Sequence, residues 1–458
     1  MNNFLKHSYE HLNIDPKSPF ASDVLQRNRF SNLLTSLVSN YSNGFVMAIN
    51  GAWGTGKTVF MRQWKMNLEM EGFKVTIFNA WDNDYFGEPT LAILSQFTDF
   101  FSDDKPLPER IIPVWKALQK VPEIAIKGFV REKVASVIGE DVLQKISETY
   151  DKNSTAPIEY KNSDIGKYLS QRIDFVKYQN ALIEFAAEVS EKGKPLVFII
   201  DELDRCSPSY AVEVLEKIKH LFNIPNIVFC LSIDKEQLKK TIQGHYGAYN
   251  FNAEEYLRRF FDIELDLPPI QYSEFSYLMA EHFSLESYFR SKEDLQDFIV
   301  ISSELAEKQH LTLRQLEKYF AHAKLVFSYY STERAAWMIA IMLILHKFNF
   351  DLYDNICNRR FELKDYAYQL KQIFDFKEYA RGPNTLGAFL YYLDGYLKPG
   401  HLITVEQDFK FDWSSDFTEK ELETISYSYV GESRTSYNKV PLDKVIARIN
   451  FIEQFISR

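Results

Sequence analysis

Residues 45–64 read FVMAINGAWGTGKTVFMRQW, and the fold turns on what the octet GAWGTGKT, Gly51 to Thr58, does. A chance match to G-x-x-x-x-G-K-[ST] in a chain this long has a probability on the order of one in a hundred, so the octet needs its context. Phe45 to Ile49 is a short apolar run halted at Asn50-Gly51, the pattern of a buried strand entering a tight turn. Beyond Thr58 the apolar residues Phe60, Trp64 and Leu68 recur at i, i+4 and i+8, which predicts a helix opening directly from the loop. Lys74 to Phe78, after a break at Glu71-Gly72, reads as the next strand. Strand, glycine loop, helix and strand form the setting that a phosphate-binding loop requires.

In such a loop, Gly51, Gly54 and Gly56 allow backbone N–H groups to turn inward where a Cβ would clash or forbid the dihedrals. Ala52, Trp53 and Thr55 complete the cradle, Lys57 reaches the β and γ phosphates, and the Thr58 hydroxyl ligates Mg²⁺. The helix N-terminus through Val59 adds a favourable dipole. The competing account is a glycine turn that precedes a surface lysine. Only 17 glycines occur in 458 residues, so their concentration here weighs against it.

The second chemical element is LVFIIDELDRCSP, Leu196 to Pro208. An acidic pair at the carboxyl end of a buried strand puts Asp201 where it can bind Mg²⁺ and Glu202 where it can polarise the attacking water. Capping of the following helix by these acids is the plainer alternative. A third element is Ser232, at the end of the apolar run Asn226 to Ser232, where a hydroxyl could orient water; Asp234 beyond it reads equally well as a helix N-cap. A fourth is Arg258-Arg259, just before a strand region at Phe260 to Leu267. These arginines could stabilise charge on a neighbouring subunit's γ-phosphate or pair with nearby carboxylates in their own chain. Finally, Arg314 and Lys318 at i, i+4 suit either a helical lid over nucleotide or a solvated charged face.

Composition narrows the class. At 46% hydrophobic the chain can build two or three cores. A formal net charge of −10 argues against a basic surface that holds nucleic acid by counterion release, leaving only a local groove for it. Three cysteines, Cys206, Cys230 and Cys357, form no disulfide or zinc pattern and predict a reducing, cytoplasmic setting. The first residues lack a signal-peptide pattern, and the longest apolar run, Ala335 to Leu345, is shorter than the roughly 20 residues of a spanning helix and reads as a buried core helix.

The uniformly apolar strands alternating with helices predict an α/β fold, a parallel sheet with helices on both faces. The expected organisation is an N-terminal segment and first part of the nucleotide domain (1–87), a helical insertion (88–194), the second part (195–270), a helical lid (271–350) and an α-rich C-terminal domain (351–458).

Together these segments resemble the KAP family of P-loop NTPases. The resemblance rests on the tryptophan within GAWGTGKT, on FNAW at Phe78 to Trp81, on DELDRCSP at Asp201 to Pro208, and on SDVLQRNRFSNLL and YLRRFFDIELDLPP, over about residues 15 to 330. It implies an additional-strand NTPase related to AAA+ and STAND proteins, with ATP and Mg²⁺ as cofactors and Glu202 as catalytic glutamate. It puts Arg258 or Arg259 in the finger region and Arg314 in the place of the lid arginine, with Leu313 and Lys318 standing where the family has a proline and a second arginine. A homo-oligomer, a protein partner or phage-derived trigger, and a role in phage exclusion follow as expectations of the resemblance. Many relatives carry transmembrane helices between the nucleotide motifs; the segment RIIPVWKALQKVPEIAIKGFVREKV is too interrupted by proline and lysine to span.

Overall fold

The computed structural model describes the chain apart from residues 1–13, 97–181, 374–384, 399–412 and 435–440. Shorter gaps fall at 22, 41–43, 86, 88, 184–185, 188–189, 191–192, 220–223, 248–249, 290, 330–335, 414 and 455–458. Most of the expected helical insertion lies outside the described residues. The chain divides into two compact units, Leu12–Pro269 and Ile270–Arg458.

In the first unit the elements run α1 (Asn28–Asn40), β1 (Phe45–Asn50), α2 (Lys57–Met70), β2 (Val75–Asn79), α3 (Ala80–Asp84), α4 (Pro89–Gln96), β3 (Leu196–Asp201), α5 (Pro208–Ile218), β4 (Ile227–Ile233), α6 (Lys235–Tyr246), α7 (Ala253–Leu257) and β5 (Ile263–Asp266). The five strands form one parallel sheet in the order β2-β3-β4-β1-β5. Strand β4 therefore lies between β1, which feeds the glycine loop, and β3, which carries the acidic pair.

Alternation along each strand explains why the runs are apolar throughout. Val46, Ala48, Phe198, Ile200, Phe229 and Leu231 face one core with α5, α6 and α7. Met47, Ile49, Val197, Ile199, Val228 and Cys230 face the other with α1 and α2. Both faces are thus covered, and no strand residue in β3 or β4 reaches water. Phe60, Trp64 and Leu68, the helical stripe legible in the sequence, are all fully buried on the second face. On the first face the Phe198 ring lies 6.4 Å from Phe78 and 5.5 Å from Phe229, a row of aromatics across three adjacent strands.

Among its described residues the second unit is helical, from α8 (Tyr272–His282) through α9 (Lys292–Lys308), α10 (Leu313–Tyr329), α11 (Ala336–Phe348), α12 (Phe350–Cys357), α13 (Leu363–Lys371), α14 (Thr385–Leu397) and α15 (Glu419–Arg434) to α16 (Leu442–Glu453). Helix α11, the most apolar stretch, is buried from Met338 to Leu345 as a core helix. No single described helix is long and apolar enough to cross a membrane; α11 and α12 reach that length only as a pair bent by 120°.

Candidate functional site

The site starts at the carboxyl edge of the sheet, where β1 ends at Asn50 and the chain turns back at Gly51. The Gly51 N–H donates to Ile233 O at 3.0 Å. A Cβ at Gly51 would lie 3.1 Å from Thr55 Oγ1, 3.3 Å from Lys57 Cγ and 3.4 Å from Leu267 Cβ, so a side chain there would press on all three by a few tenths of an ångström. Gly54 and Gly56 take left-handed backbone, with φ of 79° and 86°. Thr55 closes the turn, its hydroxyl donating to Ala52 O at 2.7 Å. Lys57 opens α2 with its ammonium folded back over the loop, donating to Gly51 O at 2.6 Å and Ala52 O at 3.3 Å. Burial holds this ammonium below the ordinary lysine value, with Asp204, Asp234 and Asp201 working the other way.

Parallel register lines up the ends of the neighbouring strands. Asn79 of β2 pairs with Asp201 of β3, Asp201 with Ser232 of β4, and Ser232 with Ile49 of β1. Asp201 is buried, and its Oδ1 accepts the Glu202 N–H at 3.0 Å. Glu202 itself takes left-handed backbone at φ 61°, uncommon for a residue with a Cβ, which turns its side chain out of the strand direction. Both carboxylate oxygens are held. Oε1 meets the Arg205 guanidinium at 2.6 Å, and Oε2 accepts from Asn79 Nδ2 at 3.2 Å. Burial raises the Glu202 carboxyl above its ordinary value, against the lowering pull of Arg205. Arg205 in turn sits over the exposed Trp81 ring, 5.5 Å from its centroid.

Asp204, given no site role by the sequence, and Asp234, expected either to orient water beside Ser232 or to cap a helix, tie the loop to these strand ends. The Trp53 indole N–H donates to Asp204 Oδ2, and the Trp53 backbone N–H donates to Asp234 Oδ2 at 3.0 Å. Asp234 also caps α6 through Gln237 N at 3.2 Å, so its expected N-cap role and its grip on the loop coexist. Burial raises the Asp204 carboxyl, with Lys57 pulling it down. The Asn79 bond to Glu202 is the other feature that sequence did not supply. Asn79 is also the N-cap of α3, accepting from Trp81 N at 3.0 Å, so one amide fastens a helix and a carboxylate together. The aromatic inside the loop and the asparagine within FNAW were the only signals available beforehand.

Ser232 is fully buried, and its hydroxyl has no hydrogen-bond partner among the described residues. An orphaned buried hydroxyl in register with Asp201 on the next strand, with Thr58 half-buried on the loop, suits a hydrated Mg²⁺, which takes few protein ligands. Arg258 and Arg259 are both exposed in the same unit; Arg258 lies 3.6 Å from Glu255, and Arg259 makes no ion pair among the described residues. Arg314 belongs to the second unit, near the start of α10.

Comparison with known proteins places this geometry. A solved structure described as the Aeropyrum pernix ORC2 protein in ADPNP-ADP complexes matches with 11% identity over 94% of each chain, at a TM-score of 0.34, too slight a likeness to carry an argument. No curated protein sequence matches the chain. The model of the KAP family P-loop domain matches residues 27–330. That match spans well over half of the sequence and contains the whole glycine loop, the β3 acids and the five-stranded parallel sheet: the chain belongs to the KAP family of P-loop NTPases.

Proposed function

We propose that this protein is an Mg²⁺-dependent ATPase whose nucleotide cycle switches an assembly or an interaction made by its C-terminal region. The observation that carries the reading is the convergence on one sheet edge of the Lys57 loop, Asp201, Glu202 and Ser232, contributed by three adjacent parallel strands. The backbone N–H groups of Gly54, Gly56, Lys57 and Thr58, which the loop's own bonds leave open, bind the phosphates, while those of Gly51, Trp53 and Thr55 hold the loop; Lys57 leaves the Gly51 and Ala52 carbonyls to pair with the β and γ oxygens. Thr58 and Asp201 would hold Mg²⁺, which when bound neutralises charge on the terminal phosphates. Glu202 orients and polarises the attacking water, and Ser232 fixes a second hydrogen bond to it. Exposed Arg258 or Arg259 completes the site of a neighbouring subunit. A role in phage exclusion rests on family resemblance, and comparing phage plating on cells with and without the gene tests it.

A second reading, a scaffold that binds ATP and turns over slowly, is favoured by one observation. Both Glu202 oxygens are already engaged by Arg205 and Asn79, so the carboxylate must be released before it can act on water. Phosphate release by the purified protein, with Lys57→Ala and Glu202→Gln beside it, tests both. The switch reading expects turnover in the wild type, loss of binding in Lys57→Ala, and ATP retained without hydrolysis in Glu202→Gln. Hydrolysis by Glu202→Gln at the wild-type rate removes Glu202 from the mechanism.

A further inference from the structure

Against the phosphate loop stands a buried cation, within the stretch SDVLQRNRFSNLL, to which no sequence signal assigned a role. Arg27, the residue before α1, is only 2% exposed, yet its guanidinium reaches three backbone carbonyls in two distant segments. Nη2 donates to Thr55 O at 2.8 Å and to Pro268 O at 3.4 Å, and Nη1 donates to Gly56 O at 3.5 Å. Its own backbone is pinned as well. Asp23 accepts from the N–H of Arg27 at 2.9 Å and of Asn28 at 2.7 Å, and Gln26 before it takes a left-handed turn at φ 53°.

We propose that Arg27 is a positioning residue for nucleotide phosphate: by gripping the carbonyls of Thr55 and Gly56 it aims the N–H groups of Gly56 and Lys57 into the cradle. The step follows from peptide geometry. In a trans peptide the C=O and N–H point in opposite directions, so pinning the carbonyls of residues 55 and 56 to one side sends the next two N–H groups to the other. Those N–H groups donate to no acceptor among the described residues, as a preformed anion cradle requires. Gly56 sits at φ 86°, where glycine's backbone is freest; the Phe60 N–H holds its carbonyl at 3.0 Å from the helix side, and the guanidinium adds the hold on the Thr55 carbonyl that no other group provides among the described residues. A guanidinium stays protonated at any working pH, so it also adds a fixed positive charge against the loop. Lys57 differs, because in this structure its ammonium is committed to two loop carbonyls that it must leave.

The inference rests on the phosphate-binding reading, and calorimetric titration with ADP separates the two. Absence of ADP binding by the wild type would sink that reading and this inference with it. If the wild type binds, Arg27→Lys, which keeps the charge and loses the fork, should bind ADP about tenfold more weakly, and Arg27→Gln more weakly still. In steady state KM should rise more than kcat falls, and the thermal shift produced by ADP should shrink in the same order. A purely structural role predicts a lower melting temperature with wild-type ADP affinity, and that result in folded Arg27→Lys and Arg27→Gln proteins overturns the proposal while leaving the phosphate loop assigned. Should circular dichroism show that neither variant folds, Asp23→Ala decides, since it loosens the turn that seats Arg27 and keeps the guanidinium. A several-fold weaker ADP affinity supports the role; unchanged affinity rejects it.

Discussion

Glu202 concentrates the chemistry that a single side chain can carry here. Burial raises its carboxyl above the ordinary value while Arg205 pulls it back. As the carboxylate that activates water in the proposed ATPase, Glu202 would work only when deprotonated, so the acid limb of kcat should lie above the pH of an unperturbed glutamate. The sign for Arg205 follows directly: removing a cation that favours the charged form raises the carboxyl further, so Arg205→Ala should move the acid limb to higher pH. A pH–rate profile of the two proteins checks it, and a limb that stays put would mean that the 2.6 Å contact does not set the titration. Trp53→Phe probes the opposite end of the site. It replaces the indole by a smaller aromatic ring and deletes the N–H given to Asp204, leaving a buried carboxylate short of a partner at a cost of about 1–3 kcal/mol. Thermal unfolding of the variant should show that loss, and an unchanged midpoint would assign the Asp204 bond no weight.

Elements matter through the asparagine that joins two of them. Asn79 ends β2, caps α3 and holds Glu202, and two substitutions separate these duties. Asn79→Asp keeps an acceptor for the Trp81 and Asp82 N–H groups, so α3 stays capped. It also sets a second carboxylate beside Glu202 and disturbs its titration. Asn79→Ala loses the cap, worth about 1 kcal/mol, together with the contact to Glu202. The expected pattern is near-normal stability with altered pH dependence of kcat for Asn79→Asp, and lowered stability for Asn79→Ala. Equal stability losses in the two, by denaturant titration, would show that the cap is not what the side chain supplies.

For the molecule as a whole, the arginine pair before β5 decides whether one chain makes a complete site. Arg258 and Arg259 are exposed just before β5, and the proposed ATPase uses one of them in a neighbour's site. If they do, ATPase activity should rise faster than linearly with protein concentration near the assembly threshold. A double Arg258→Ala, Arg259→Ala protein should bind ATP normally, hydrolyse it slowly, and regain activity when mixed with Lys57→Ala protein. The first contributes an intact loop, the second an intact arginine. Absence of rescue in mixtures shown to co-assemble would return the pair to a role within the chain, where the 3.6 Å approach of Arg258 to Glu255 already hints at one.

Local pattern was enough for much of this. Uninterrupted apolar runs can be buried only on two sides, and so they announced a parallel sheet covered on both faces. The periodic Phe60, Trp64 and Leu68 announced the helix behind the loop, and glycine spacing before Lys57 announced the loop itself, because each signal lies within a few residues. Strand order was another matter: the β2-β3-β4-β1-β5 arrangement departs from chain order, and it alone sets Asn79, Asp201, Ser232 and Asn50 along one edge. The bonds that complete the site join residues far apart in sequence, Trp53 to Asp204, Asn79 to Glu202 and Arg27 to Thr55 and Pro268. Such side chains carry no periodicity that could reveal a partner. Their meaning comes from parallel strands whose crossovers return every carboxyl end to the same side, and only the folded chain brings those ends together.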